Sequence, residues 1–249
     1  MTHSAPPRRV LAVTGPDRLA FLQDLVTNDV DALARGPVYA ALLSPQGKYL
    51  ADFVMVAAGD AVHLDVAEPL AEGLARRLAM YRLRRKVEIA PTDLRVETGD
   101  GPTPPGAIAD PRDPGLGWRR IGAVDGPGPS DAARVERIVP ESMVELIPDE
   151  SYILEMGFER LNGVDFRKGC YVGQEIVARM KHKTELRKGL ARVRVDGRAE
   201  PGQHIESGGR PAGTLGTVSG ERALATLRFD RAAETMTAGE ARITLDRRV

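Results

Sequence analysis

The chain has 249 residues, 42% of them hydrophobic and 28% charged, with 35 Lys and Arg balancing 35 Asp and Glu. A chain of that length buries about 70 to 75% of its unfolded surface and so builds a real core, while no run approaches the roughly 18 apolar residues of a membrane span. Zero net charge leaves no global field to draw the protein to nucleic acid or an anionic surface,. The first residues carry no apolar signal segment, and a single cysteine makes no internal disulfide. Together these predict a reducing, cytoplasmic setting with neither a nucleic-acid nor a membrane partner.

In chain order, residues 9–14 read as a first strand. Gly15, Pro16 and Asp17 then open a helix with Leu19, Leu22, Leu25 and Val26 on one face, ending near Thr27, Asn28 and Asp29,. Residues 38–43 and 49–57 are strand-like runs around the Pro45 and Gly47 turn, which predicts a hairpin. Val62, Leu64 and Val66 alternate as a half-buried strand, and from Pro69 onward Leu70, Leu74, Leu78 and Tyr81 recur at helical spacing,. Residues 86–90 and 94–98 return to strand character. Residues 99–129 are dense in Gly and Pro and read as loop, with one or two short strands around 118–124. Ser130 caps a helix reaching Ile138. Residues 151–166 are irregular, 175–181 form a short helix, and from residue 190 onward glycines punctuate short β-prone runs, as in a small all-β module.

Arg76, Arg77, Arg82, Arg84, Arg85 and Lys86 crowd one stretch. They are either a solvated helix end whose cations suit the negative end of the macrodipole or an anion-binding wall.

The densest chemistry lies in residues 168–175, Lys168-Gly169-Cys170-Tyr171-Val172-Gly173-Gln174-Glu175. A thiol reacts or binds metal as thiolate, and a neighbouring cation favours that form; Lys168 is the candidate cation. The two glycines permit a sharp turn, and Glu175 supplies an acceptor. The four histidines lie far apart without metal-ligand spacing, and neither a dinucleotide fingerprint nor a P-loop occurs,.

The segment 163–175 resembles the K-G-C-[FYWH]-[VI]-G-Q-E signature of the YgfZ-type folate-binding proteins, relatives of the glycine-cleavage aminomethyltransferase (T-protein) implicated in iron–sulfur cluster assembly. Phe21-Leu22-Gln23 with Thr27-Asn28-Asp29, Leu43-Ser44-Pro45-Gln46-Gly47-Lys48 with Ala51-Asp52-Phe53, and Ile147-Pro148-Asp149-Glu150 agree in order. The resemblance implies an α+β, T-protein-like three-lobed folate-binding fold with a small C-terminal β-barrel. Residues 1–50 with 95–187 would form the folate-binding lobe, 51–94 an inserted lobe and 188–249 the barrel.

It also implies tetrahydrofolate as ligand and iron–sulfur client or assembly proteins as partners, with Cys170 as working thiolate and Lys168 beside it. A pterin presents a ring N–H and an amino group side by side, which one carboxylate accepts together. Glu150 is the first choice for that carboxylate and Glu175 the second, with Tyr171 and Gln174 along the same wall and Arg84 toward the anionic glutamate tail. Asp65 lies where the T-protein's catalytic aspartate is expected, though strand alternation accounts for it equally. One cysteine does not hold a cluster that wants four thiolates, so other ligands would come from elsewhere. The alternatives are a folate-dependent aminomethyltransferase or demethylase and a non-catalytic folate-gated binding module.

Overall fold

The computed structural model describes residues 5–122, 130–182 and 185–249. Its first layer is a five-stranded antiparallel sheet of β1 (Arg8–Thr14), β2 (Val38–Leu43), β3 (Tyr49–Ala58), β4 (Ala61–Ala67) and β5 (Glu88–Pro91), ordered β2-β3-β4-β1-β5. Because successive side chains in a strand point to opposite faces, this sheet divides two cores. Leu11, Val13, Leu42, Phe53 and Leu64 pack under the helices α1 (Arg18–Gln23) and α2 (Glu68–Tyr81). Tyr39, Leu43, Tyr49 and Val54 face the other way, onto Leu146, Phe158, Leu161 and Val177.

A three-stranded sheet of β6 (Arg95–Gly99), β7 (Ile108–Ala109) and β8 (Trp118–Gly122), ordered β6-β8-β7, follows. The helix α3 (Asp131–Arg137) is capped as expected: the Ser130 hydroxyl accepts from the amide of Ala133 at 3.2 Å. Residues 140–173 run mostly as turns to α4 (Gln174–Lys181). The C-terminal part is a closed barrel, β10-β11-β12-β9-β14-β13, built from β9 (Lys188–Asp196), β10 (His204–Ser207), β11 (Arg210–Ser219), β12 (Arg222–Arg228), β13 (Met236–Ala238) and β14 (Ala241–Arg248). Its small interior is filled by Ala191, Val193, Ile205, Leu215, Ala225 and Ile243.

Glu145 ties this barrel to the rest. It accepts from both the amide and the hydroxyl of Thr217 at 2.7 Å, and from buried Arg134 at 3.4 Å. Gly216 leaves room for it, since a Cβ there would stand 2.4 Å from the Glu145 carboxylate.

Two expectations fail locally. The boundary at 50/51 falls inside β3, which pairs with β2 on one side and β4 on the other. Residues 8–91 therefore share one sheet, because β1 pairs with β4 across more than fifty residues, and no separate lobe starts at residue 51. The first helix also ends at Gln23 instead of reaching residue 27, and Leu19 is exposed while Phe21 and Leu22 take the buried side. The predicted strand around 118–124 appears as β8 to Gly122; Ala123 and Val124 lie outside the described residues.

Candidate functional site

The cysteine loop is pinned at both ends. Upstream, residues 162–168 run beside residues 23–28: the Thr27 hydroxyl donates to the Gly163 carbonyl at 2.7 Å, and the Asp165 amide donates to the Thr27 carbonyl at 3.0 Å. Lys168 completes this seam. Its buried ammonium donates to the carbonyls of Gln23, Val26 and Asn28 at 2.8, 2.6 and 2.9 Å. These include carbonyls left open where α1 ends. Burial draws the ammonium down to about 8, against the supporting charges of Asp29 and Asp165. Lys168 is thus committed to the backbone of the α1 end, and the expected role as the thiol's own cation gives way to that of an anchor.

Downstream, the loop sits on the turn between β2 and β3. Gly173 has φ +83°, and a Cβ there would stand 2.6 Å from the Ser44 carbonyl oxygen; a Cβ on Gly47, at φ +73°, would stand 2.7 Å from Cβ of Ile176. Two positions without side chains let α4 rest directly on the hairpin. Gly173→Ala should therefore cost about 2 kcal/mol or more, from positive-φ strain together with backbone collision. Thermal denaturation checks it, and an unchanged midpoint would contradict the seating.

Between these anchors Cys170 is exposed. Tyr171, by contrast, turns inward to the core beside Val177, its ring 5.3 Å from the Lys168 ammonium, and burial pushes its phenol up to about 12. That burial fits packing rather than the expected ligand contact. Gln174 begins α4, and Glu175 is exposed in its first turn, where a carboxylate suits the helix dipole,. Gly173 stands at the N-cap of α4 and offers no side chain to cap it.

Glu150 lies across the same hairpin turn. Lys48 donates to its backbone carbonyl at 2.8 Å while standing 3.7 Å above the Tyr152 ring. Glu150 lines a cleft of about 580 Å³ between residues 143–156 and the barrel, with Met143, Ile147, Met156 and Leu215 as apolar lining and Lys188, Arg228 and Arg231 as cations. Among the described residues no donor meets the Glu150 carboxylate. Cys170 is not on this cleft, and neither is Arg84. Arg84 follows α2, whose Leu70 lines a hollow beside Asp149; about 16 Å of helix separates Leu70 from Tyr81.

The sequence reading missed a buried polar network behind the hairpin. Asp52 accepts from the hydroxyls of Tyr39 at 3.0 Å, Tyr49 at 2.7 Å and Ser142 at 2.6 Å. Asp65, fully buried, accepts from Arg8 Nε at 2.6 Å and from Arg119, which also donates to Asp110. Arg112 completes the chain with a forked contact to Asp110 at 2.9 and 3.0 Å. The signal was present as carboxylates inside apolar strand runs, which implies paired charge. Both Asp65 oxygens are taken by guanidiniums, which balances its charge where it is buried,.

Comparison with known proteins gives this geometry a lineage. Residues 187–248 match the family described as CAF17, C-terminal beta-barrel domain. The crystal structure of glycine cleavage system aminomethyltransferase T from Bartonella henselae superposes with a TM-score of 0.75 over 99% of this chain and 87% of that one, at 11% identity, which establishes the fold. The Mus musculus protein named iron–sulfur cluster assembly factor IBA57, mitochondrial, is 29% identical over 90% of this chain and 76% of its own length. Its Homo sapiens counterpart reaches 34% identity over 86% of this chain and 70% of the relative. Spanning both the sheet layer and the barrel, that identity means that the chain belongs to the IBA57 family of iron–sulfur cluster assembly factors, built on the aminomethyltransferase fold.

Proposed function

We propose that this protein is a tetrahydrofolate-binding accessory factor for the assembly or repair of [4Fe–4S] proteins, akin to the YgfZ-type proteins, with Cys170 as an essential thiolate. The observation that carries this reading is an exposed thiol on a short loop anchored by Lys168 on one side and Gly173 on the other. Such a loop holds one sulfur ligand at a fixed place on the surface. The thiol gives its proton to water and binds iron as thiolate; the remaining ligands come from the partner, since the chain has one cysteine,.

The folate part rests on the cleft. A carboxylate that meets no donor among the described residues, above an apolar lining in about 580 Å³, fits a flat ring bearing adjacent N–H donors,. Glu150 would hold the pterin edge and Met143, Ile147 and Met156 its faces. Bound folate would supply a one-carbon unit or simply brace the barrel against residues 143–156. A reducing compartment belongs to the same reading. The cytoplasm was the expectation from sequence, whereas the relatives are named as mitochondrial.

Cys170→Ser should abolish rescue of aconitase-type activity in a deletion strain while leaving tetrahydrofolate affinity within about twofold. Glu150→Gln should weaken that affinity about tenfold or more, the size of a lost charged hydrogen-bond pair. Full rescue by Cys170→Ser would end the thiolate proposal, and isothermal titration showing equal affinity for Glu150→Gln would end the pterin assignment.

A further inference from the structure

The turn after α2 carries a surface that the cleft does not use. Residues 76–86 hold six cations and no acid. Among the described residues, ion pairs engage Arg76 with Glu72 and Arg85 with Asp24; Arg77, Arg82, Arg84 and Lys86 make none. Within this collar stand two apolar side chains facing water, Met80 at 65% exposure and Leu83 at 87%. Leu83 also adopts φ +45°, a backbone state that disfavours a bulky residue. Both the exposure and the backbone cost work against folding, so the feature has no explanation in the stability of the free chain.

The collar adjoins the cysteine loop through α1. Arg85 holds Asp24, the residue after α1, while Lys168 holds the carbonyl of Gln23, the last residue of α1. Asp24 is close enough to Lys168 to support its charge. Leu19 of α1 and Phe166 of the cysteine loop are further apolar side chains left exposed.

We propose that the basic, apolar-tipped turn 82–86 docks an acidic protein that carries a thiolate-bound iron–sulfur cluster, so that Cys170 faces the partner. This inference rests on the reading of Cys170 given above and names the chemistry of its partner. Charge complementarity points to an acidic face, and a thiolate-bound cluster adds negative charge of its own. Five of the six cations are arginine, the side chain that pairs carboxylates in a forked geometry and is enriched in protein interfaces, as methionine is.

The test uses full-length protein with an acidic plant-type [2Fe–2S] ferredoxin as probe, at low and high salt. Wild type should bind, and more weakly as salt screens the contact. Arg82→Glu with Arg84→Glu and Lys86→Glu should weaken binding about tenfold or more. Those side chains are exposed and make no ion pair among the described residues, so the melting temperature and the rate of Cys170 alkylation by N-ethylmaleimide should stay unchanged. Leu83→Gly should melt higher and bind more weakly. Cys170→Ser should bind ferredoxin as wild type does yet fail to rescue the deletion strain, which separates the two proposals. No ferredoxin binding by wild type, or equal binding by the triple variant, overturns the docking surface and leaves Cys170 untouched. Collar-dependent binding to phosphatidylglycerol vesicles without ferredoxin binding overturns it as well, in favour of a membrane.

Discussion

Asp65→Ala should destabilise the protein by about 3 to 5 kcal/mol, the cost of stranding buried charge by removing one partner of an ion pair. Asp65 is fully buried, Arg8 meets it at 2.6 Å, and Arg119 bridges it to Asp110. Truncation leaves Arg8 with Glu141 at 3.5 Å as its remaining acid, and leaves Arg119 leaning on Asp110 alone. Among the described residues Arg119 already has a buried Nε without a partner, so the loss of Asp65 adds to an existing deficit. Urea denaturation reads the effect, and Asp65→Asn, which keeps the shape and one acceptor, should fall between.

The same network sets an acid limit. Burial alone would raise the Asp65 and Asp110 carboxyls, but the guanidiniums of Arg8 and Arg119, and of Arg112 and Arg119, outweigh it and hold both below their ordinary values. With a folded pKa below the unfolded one, the unfolded chain binds more protons in the intervening window. This contribution is therefore complete above about pH 4, the ordinary aspartate value, and is lost as pH falls toward the folded values. Wild type should lose stability steeply below pH 4, and Asp65→Asn should lose less over the same interval. Equal slopes would show that Asp65 is not a titrating support.

What the sequence made legible follows the range of the interactions. The hairpin of β2 and β3 was readable because alternation and the turn at Pro45 and Gly47 are local, and α2 because its apolar residues repeat within one helix. The barrel was readable from its glycine-punctuated runs, and Ser130 as a cap from its position alone. The sheet was not, since the pairing of β1 with β4 has no local mark. The site divides the same way. The loop that carries the exposed thiol of Cys170 stood out in sequence because its residues are contiguous. Residues whose partners are distant were misread: Lys168 stands two positions from Cys170, yet its ammonium reaches Gln23 and Asn28, some 140 residues away in the chain. Tyr171 adjoins the thiol and faces the core. Arg84 carries the charge a folate tail wants but lies off the cleft that Glu150 lines.

Lys168→Met should cost about 3 kcal/mol, because it keeps the apolar stem while leaving the carbonyls of Gln23, Val26 and Asn28 without their donor, at about 1 to 3 kcal/mol for each buried group left unmade,. The loss is less than additive, since water reaches the partly exposed carbonyls first. The same change unties residues 162–168 from the α1 end and so loosens the loop that presents Cys170. Faster amide exchange over residues 165–173 should accompany the lower urea midpoint, and rescue of the deletion strain should fall. Cys170→Ser gives the opposite pattern, with wild-type stability and exchange but no rescue, because its side chain is exposed and anchors nothing. If Lys168→Met kept both wild-type stability and wild-type rescue, the ammonium would not be the anchor of the loop, and the fixed placement of the thiol would need another cause.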